Sequence, residues 1–199
     1  MILIIGGGNV GIEAAKYFED RDFLIVDVNE NCVAAKRYPE KFVKGSAKDL
    51  IDLVEKFEVS YIIPAAPVHV AAEALTALEF RPDLSTSEHF LSALPSRTIF
   101  SFSDGSAVVT YNREGRCLPG CSEPEVCPVT GLRKPCPMFR LIEFCIPEAF
   151  VLVSEQIKPG LGGFRGEKFR ELVELAKNAR SVIVATACGC HGVVTAMRR

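Results

Sequence analysis

Residues 2–11 read Ile-Leu-Ile-Ile-Gly-Gly-Gly-Asn-Val-Gly, and residues 23–27 read Phe-Leu-Ile-Val-Asp. The first is a continuous apolar run that breaks into glycines. Such a run is expected of a strand buried on both faces of a parallel sheet. Gly6, Gly8 and Gly11 fit G-x-G-x-x-G between a strand and a helix. Gly6 suits the tight turn, Gly8 the close approach of the backbone to a pyrophosphate, and Gly11 the close packing of helix on strand. The helix start, with Asn9 and Val10, would turn unpaired N–H groups and a positive dipole end toward phosphate. Asp27 closes the second apolar run, where a carboxylate accepts from ribose hydroxyls, with Val28 beside it. No Arg or Lys lies in residues 28–35 to pair a 2′-phosphate, which Asp27 would repel. The expected ligand is therefore NAD(H) rather than NADP(H).

Working outward, strands and helices alternate. A helix is expected from Asn29 through Lys36, a short strand at Phe42-Val43, a helix over Lys48–Phe57, a strand over Val59–Ile63 and an Ala-rich helix over Val68–Leu78. This alternation predicts an α/β fold with a doubly wound parallel, Rossmann-like sheet over residues 1–95. The pattern changes near Pro95. Thr98–Phe102 and Ala107–Tyr111 flank Asp104-Gly105, a hairpin signal. A Cys-, Pro- and Gly-rich stretch without periodicity covers 113–137. A strand over Phe150–Val153, a glycine loop from Pro159 to Gly166, a helix over Lys168–Lys177 and a last strand over Ser181–Thr186 follow. The second domain, 96–199, is thus read as a hairpin, a Cys-rich loop and a βαβ unit that extends the first sheet or packs on it.

The bulk numbers bound the function. In 199 residues, 23 basic and 25 acidic side chains leave a formal charge of −2, no electrostatic footprint for nucleic acid or an anionic membrane. No apolar run reaches the roughly 20 residues of a membrane helix, and the opening is too short for a secretory signal. A cytoplasmic protein is expected. Eight cysteines there are not a disulfide framework. Cys117, Cys121, Cys127 and Cys136 give four thiols in twenty residues, a candidate set for zinc or an iron–sulfur cluster, or a loop of unligated thiols. Cys188 and Cys190 with His191 follow the last strand; they complete that metal site, act as nucleophile and base, or pack inertly. Cys32 and Cys145 read as buried small hydrophobes. Gly160–Gly166 with Arg165 is a further candidate anion loop, His69 a residue near the nucleotide edge, and His89 a surface helix residue.

The stretch Ile-Ile-Gly-Gly-Gly-Asn-Val-Gly, the strand ending in Asp27 and Val43-Lys44-Gly45-Ser46-Ala47 resemble the TrkA-N (RCK N-terminal) family over residues 1–80. The glycine loop is also similar to that of precorrin-2 dehydrogenases. The TrkA-N resemblance implies an NAD(H)-binding regulatory module of potassium transport, with Gly45 and Ser46 in the nucleotide loops. In that family Gly-Asp stands where this chain has Gly45-Ser46. Two functions follow: a nucleotide or redox sensor whose Cys-rich half holds a metal, a protein partner or a second copy of the chain, or an NAD-dependent oxidoreductase with a cleft near Cys188, Cys190 and His191.

Overall fold

A computed structural model describes residues 1–199 except Arg116 and Pro119. In chain order the elements are β1 (Ile2–Ile5), α1 (Asn9–Tyr17), β2 (Phe23–Asp27), α2 (Val33–Arg37), β3 (Phe42–Lys44), α3 (Leu50–Lys56), β4 (Tyr61–Pro64), α4 (Val70–Leu75), β5 (Arg81–Pro82) and α5 (Leu84–Ala93). They continue with β6 (Ile99–Ser103), β7 (Ser106–Thr110), α6 (Met138–Cys145), β8 (Ala149–Val153), β9 (Glu155–Lys158), β10 (Leu161–Arg165), α7 (Gly166–Asn178), β11 (Ser181–Ala187) and β12 (His191–Arg198). The result is a mixed α/β protein with two mixed sheets. Its chain divides into two compact units: Met1–Glu79 with Gly163–Asn178, and Phe80–Gly162 with Ala179–Arg199.

In the first unit the strands run β3-β2-β1-β4-β10. β1 is parallel to β2 and β4, β2 is parallel to β3, and β10 is antiparallel to β4. Every residue of β1 is buried, as a central parallel strand requires. α1 approaches that strand through Gly11, Ile12, Ala14 and Ala15, mostly small residues that shorten the distance between backbones. α7 buries Phe169, Leu172, Val173 and Ala176 in this unit. Burying such apolar side chains is worth about 1.5–3 kcal/mol each for the larger ones. Arg170 pins the same helix by donating to the Val54 and Phe57 carbonyls at 3.1 and 3.0 Å, where α3 ends.

The second unit holds its own sheet, β6-β7-β12-β11-β8, with β5 also paired to β12. β8 and β11 are parallel and the other pairs antiparallel. Its core gathers Phe90, Val109, Tyr111, Ile142 and Val194. The β6–β7 turn is the expected one: Asp104 and Gly105 have φ of 49° and 76°, as a two-residue hairpin demands.

Four expectations change here. The compact units divide at Glu79, not at 95, and Gly163–Asn178 returns to the first. β8 and β11 do not extend the first sheet; they pair in the second. The stretch over Pro159–Gly166, read as a glycine loop, is mostly strand β10, and Arg165 stacks on the Tyr61 ring at 4.6 Å. A Cβ on Gly162 would stand 2.6 Å from Ser154 Oγ, which would have to turn aside. Finally, Ser181–Ala187 is not the last strand, because β12 follows and turns Cys188–His191 into a hairpin connection.

Candidate functional site

Two places concentrate the residues with chemistry. In the first unit they surround the β1–α1 loop. Gly6 has φ +116°, and a Cβ there would meet the Ala65 carbonyl at 2.5 Å. A Cβ on Gly11 would overlap the Gly6 carbonyl oxygen. Gly8 differs: a Cβ there meets nothing within 4 Å. So Gly6 and Gly11 are glycines for the fold, whereas the fold alone leaves Gly8 free to be larger.

Gly8 opens into a cleft of about 480 Å³, within the range of small-molecule sites. Gly6, Asp27, Val28, Gly45 and Ser46 line it, together with Ala47, Ala65, Ala66, Pro67, Val68 and Glu73. Asn9 and Val10 stand exposed at the start of α1, and Gly8 caps that helix without a side-chain bond. Its N-terminal turn carries a positive partial charge. Val28 and Val68 are exposed apolar side chains on the lining.

Asp27 does more than the sequence foretold. Its Oδ2 accepts from the Gly7 amide at 2.6 Å and its Oδ1 from the Asn29 amide at 2.7 Å. The carboxylate thus braces the glycine loop while each oxygen keeps a lone pair for a ligand. Ser46 caps the turn after β3: its hydroxyl accepts from the Lys48 amide, and its own amide donates to Asp49 at 2.6 Å. Lys44 is the residue sequence reasoning passed over. It sits opposite Asp27 in the β2–β3 register and pairs with Glu30 at 3.2 Å. Only cross-strand pairing brings it there, beyond a scan of residues 28–35. Helix α2 starts at Val33, later than expected, with the half-buried Cys32 as its cap. His69 is the half-buried N-cap residue of α4 but makes no side-chain cap bond, and burial holds its imidazole below its ordinary value.

The second place lies in the second unit. Cys117, Cys121 and Cys127 come from the long loop, Cys190 from the β11–β12 connection and His191 from the first position of β12. All five line one small cavity with Tyr111, Pro124 and Pro128. Cys136 is not among them; its Sγ lies 3.9 Å from the Tyr111 hydroxyl. The His191 imidazole, the candidate base, faces Cys117 rather than Cys188 or Cys190. Its Nε2 is 3.0 Å from Cys117 Sγ, and its Nδ1 is 2.7 Å from Thr110 Oγ1. Burial holds the imidazole below its ordinary value.

Cys188 accepts from the Cys190 and His191 amides at 3.4 Å each, and burial pushes its thiol up to about 12, poor ground for a nucleophile. Burial also raises Cys190, against the lowering effect of Lys134 Nζ 3.1 Å from its sulfur. At Cys127 burial acts upward, but the Thr130 hydroxyl and amide, the Val129 amide and the Lys134 ammonium together hold the thiol below its ordinary value. Among the described residues no three Cys, His, Asp or Glu side chains stand ready around an ion. Nor, among them, is any helix long and apolar enough to cross a membrane.

The chain is therefore a two-unit mixed α/β protein, with a glycine-lined cleft in one unit and a thiol cluster in the other. It belongs to the family whose two parts are described as AF_1314_N, "Uncharacterized protein, N-terminal domain", matching residues 1–70, and AF_1314_C, "Uncharacterized protein, C-terminal domain", matching residues 69–199. A protein of Archaeoglobus fulgidus, described as "Uncharacterized protein", is 42% identical over 215 aligned positions that cover 100% of both chains. No solved structure matches the chain significantly. The TrkA-N resemblance is thereby corrected: residues 1–70 fall in AF_1314_N. The reason is physical. A tight turn beside a helix start selects the same glycines in unrelated families, and a strand-end acid can brace such a loop in any of them.

Proposed function

We propose that the first unit is a Rossmann-type dinucleotide-binding module and that its ligand is NAD(H). The observation that carries this reading is the bare backbone of Gly8 in a cleft lined also by Asp27. A backbone kept free of Cβ where nothing in the protein would touch one is what a ligand's phosphates require. The parallel order β3-β2-β1-β4 agrees with a mononucleotide-binding half. The N–H groups at the start of α1 would hold the pyrophosphate, the free lone pairs of Asp27 the ribose hydroxyls, and Val28 and Val68 the apolar faces of the bases. Bound NAD(H) supplies hydride chemistry.

The lining favours binding over turnover. Its ionisable side chains are Asp27, engaged with two amides, and Glu73, which pairs with Lys48 at 3.6 Å. Among the described residues, no Cys, His, Lys or Tyr lines the cleft. We therefore read the protein as a sensor or regulatory module responding to the nicotinamide pool, ahead of an NAD-dependent oxidoreductase. Fluorescence titration tests the assignment. Wild type should bind NADH more tightly than NADPH, because the 2′-phosphate meets Asp27. Asp27→Asn should weaken NADH by roughly ten- to a hundredfold, the worth of a charged hydrogen-bond partner. Tighter NADPH binding by wild type, or unchanged NADH binding by Asp27→Asn, would sink the assignment.

A further inference from the structure

Cys117, Cys121, Cys127, Cys190 and His191 share a cavity of about 10 Å³, room for one water-sized body. Two features of its walls say what belongs there. The first is the tautomer of His191. Thr110 Oγ1 lies 3.1 Å from the Asn112 carbonyl and 2.7 Å from His191 Nδ1; when its proton goes to the carbonyl, it accepts from His191 Nδ1–H. The lone pair of His191 is then on Nε2, which faces Cys117 Sγ at 3.0 Å. A histidine held by its other N–H, with a bare Nε2 among thiols, is arranged as a metal ligand. The second feature is Lys134. It is 9% exposed, and its ammonium donates to the Glu123 carbonyl at 2.9 Å and to Cys190 Sγ at 3.1 Å. The Glu123 carboxylate, which accepts from the Gly189 amide at 2.8 Å, stands in the same cluster, and thiolates bound to a metal would add to the negative charge facing this buried cation.

We propose that Cys117, Cys121, Cys127 and His191 bind one divalent metal ion, with zinc the best match to three thiolates and one imidazole in a tetrahedron. Three thiolates and an imidazole around a divalent ion leave a single negative charge, which offsets Lys134. Thr110 is a positioning residue that fixes the His191 tautomer. Cys190 remains a thiol beside Lys134, and Cys136 stays outside the site. The donors do not yet stand in ion-binding geometry, so uptake draws the loop thiols onto the β11–β12 turn and releases their protons.

The test uses the full chain purified without chelator, assayed for metals, then exchanged with cobalt(II). We expect about one zinc per chain, and a cobalt form with the strong visible bands of tetrahedral thiolate coordination. Cys136→Ser and Cys190→Ser keep the ion. Cys127→Ser and His191→Ala lose it, and Thr110→Val weakens it by about tenfold while keeping the thiolate bands. If the ligand variants fail to fold, the wild-type metal content and cobalt spectrum still decide. Sub-stoichiometric metal, iron with acid-labile sulfide, a weak octahedral cobalt spectrum, or loss of the ion in Cys136→Ser would each overturn the proposal.

Discussion

Gly8 and Gly11 stand three residues apart in one loop, yet an added methyl should act differently at each. At Gly8 the Cβ is free of contacts and φ is −78°, so alanine fits the folded backbone. Stability should stay within about 1 kcal/mol of wild type, while nucleotide affinity falls as the methyl enters the cleft. At Gly11 the methyl meets the Gly6 carbonyl, and overpacking should cost about 1–3 kcal/mol of stability. Urea unfolding of both variants checks this; equal destabilisation would mean that Gly8 serves the fold. These glycines were legible in sequence because G-x-G-x-x-G between an apolar run and a helix is a local pattern. The partners of Asp27 and His191 were not. Asp27 bonds the Gly7 amide across 20 residues and His191 reaches Cys117 across 74, contacts that exist only once strands are paired.

At the scale of elements, α5 offers a check on electrostatics. Asp83 caps it, accepting from the Thr86 hydroxyl at 2.7 Å and the Thr86 amide at 3.3 Å. The Thr86 hydroxyl bond, then the amide, hold the carboxyl below its ordinary value. A lowered folded value means that the contribution is complete above the ordinary carboxylate range and fades as the pH falls through the folded value. Asp83→Ala should cost about 1 kcal/mol at neutral pH, with a smaller difference in acid. A difference that grew on acidification would contradict the cap. Strands β1 and β2 were readable because buried parallel strands are continuous apolar runs. β12 and β10 were not. Cys-Gly-Cys-His reads as chemistry at a strand end although its backbone turns a hairpin, and Gly162-Gly163 reads as a loop although its glycines admit close approach within a strand. Helix α6 was passed over although Met138, Leu141, Ile142 and Cys145 follow helical spacing, because it begins directly after the Cys-, Pro- and Gly-rich stretch and runs only eight residues.

At the scale of the molecule, the first unit is discontinuous in sequence. Its cover α7 arrives from residues 166–178, and Gly166 lets that helix start against the Val59 carbonyl. Residues 1–79 alone would expose the surface that Phe169, Leu172 and Val173 bury, at about 1.5–3 kcal/mol each. That fragment should bind a hydrophobic dye and lose cooperative unfolding; unfolding as sharp as the full chain's would contradict the return of α7. The alternating pattern of the first half was visible in sequence, but the return was not, because nothing local in Lys168–Lys177 says which core its apolar face joins.

Nucleotide binding by the first unit depends on the cleft beside Gly8, and calorimetric titration of the full chain with NADH, wild type against Gly8→Ala, tests it most directly. Saturable binding at one site per chain, lost or strongly weakened in a Gly8→Ala protein of unchanged stability, is the predicted result. No binding by wild type, or equal binding by both proteins, would contradict it.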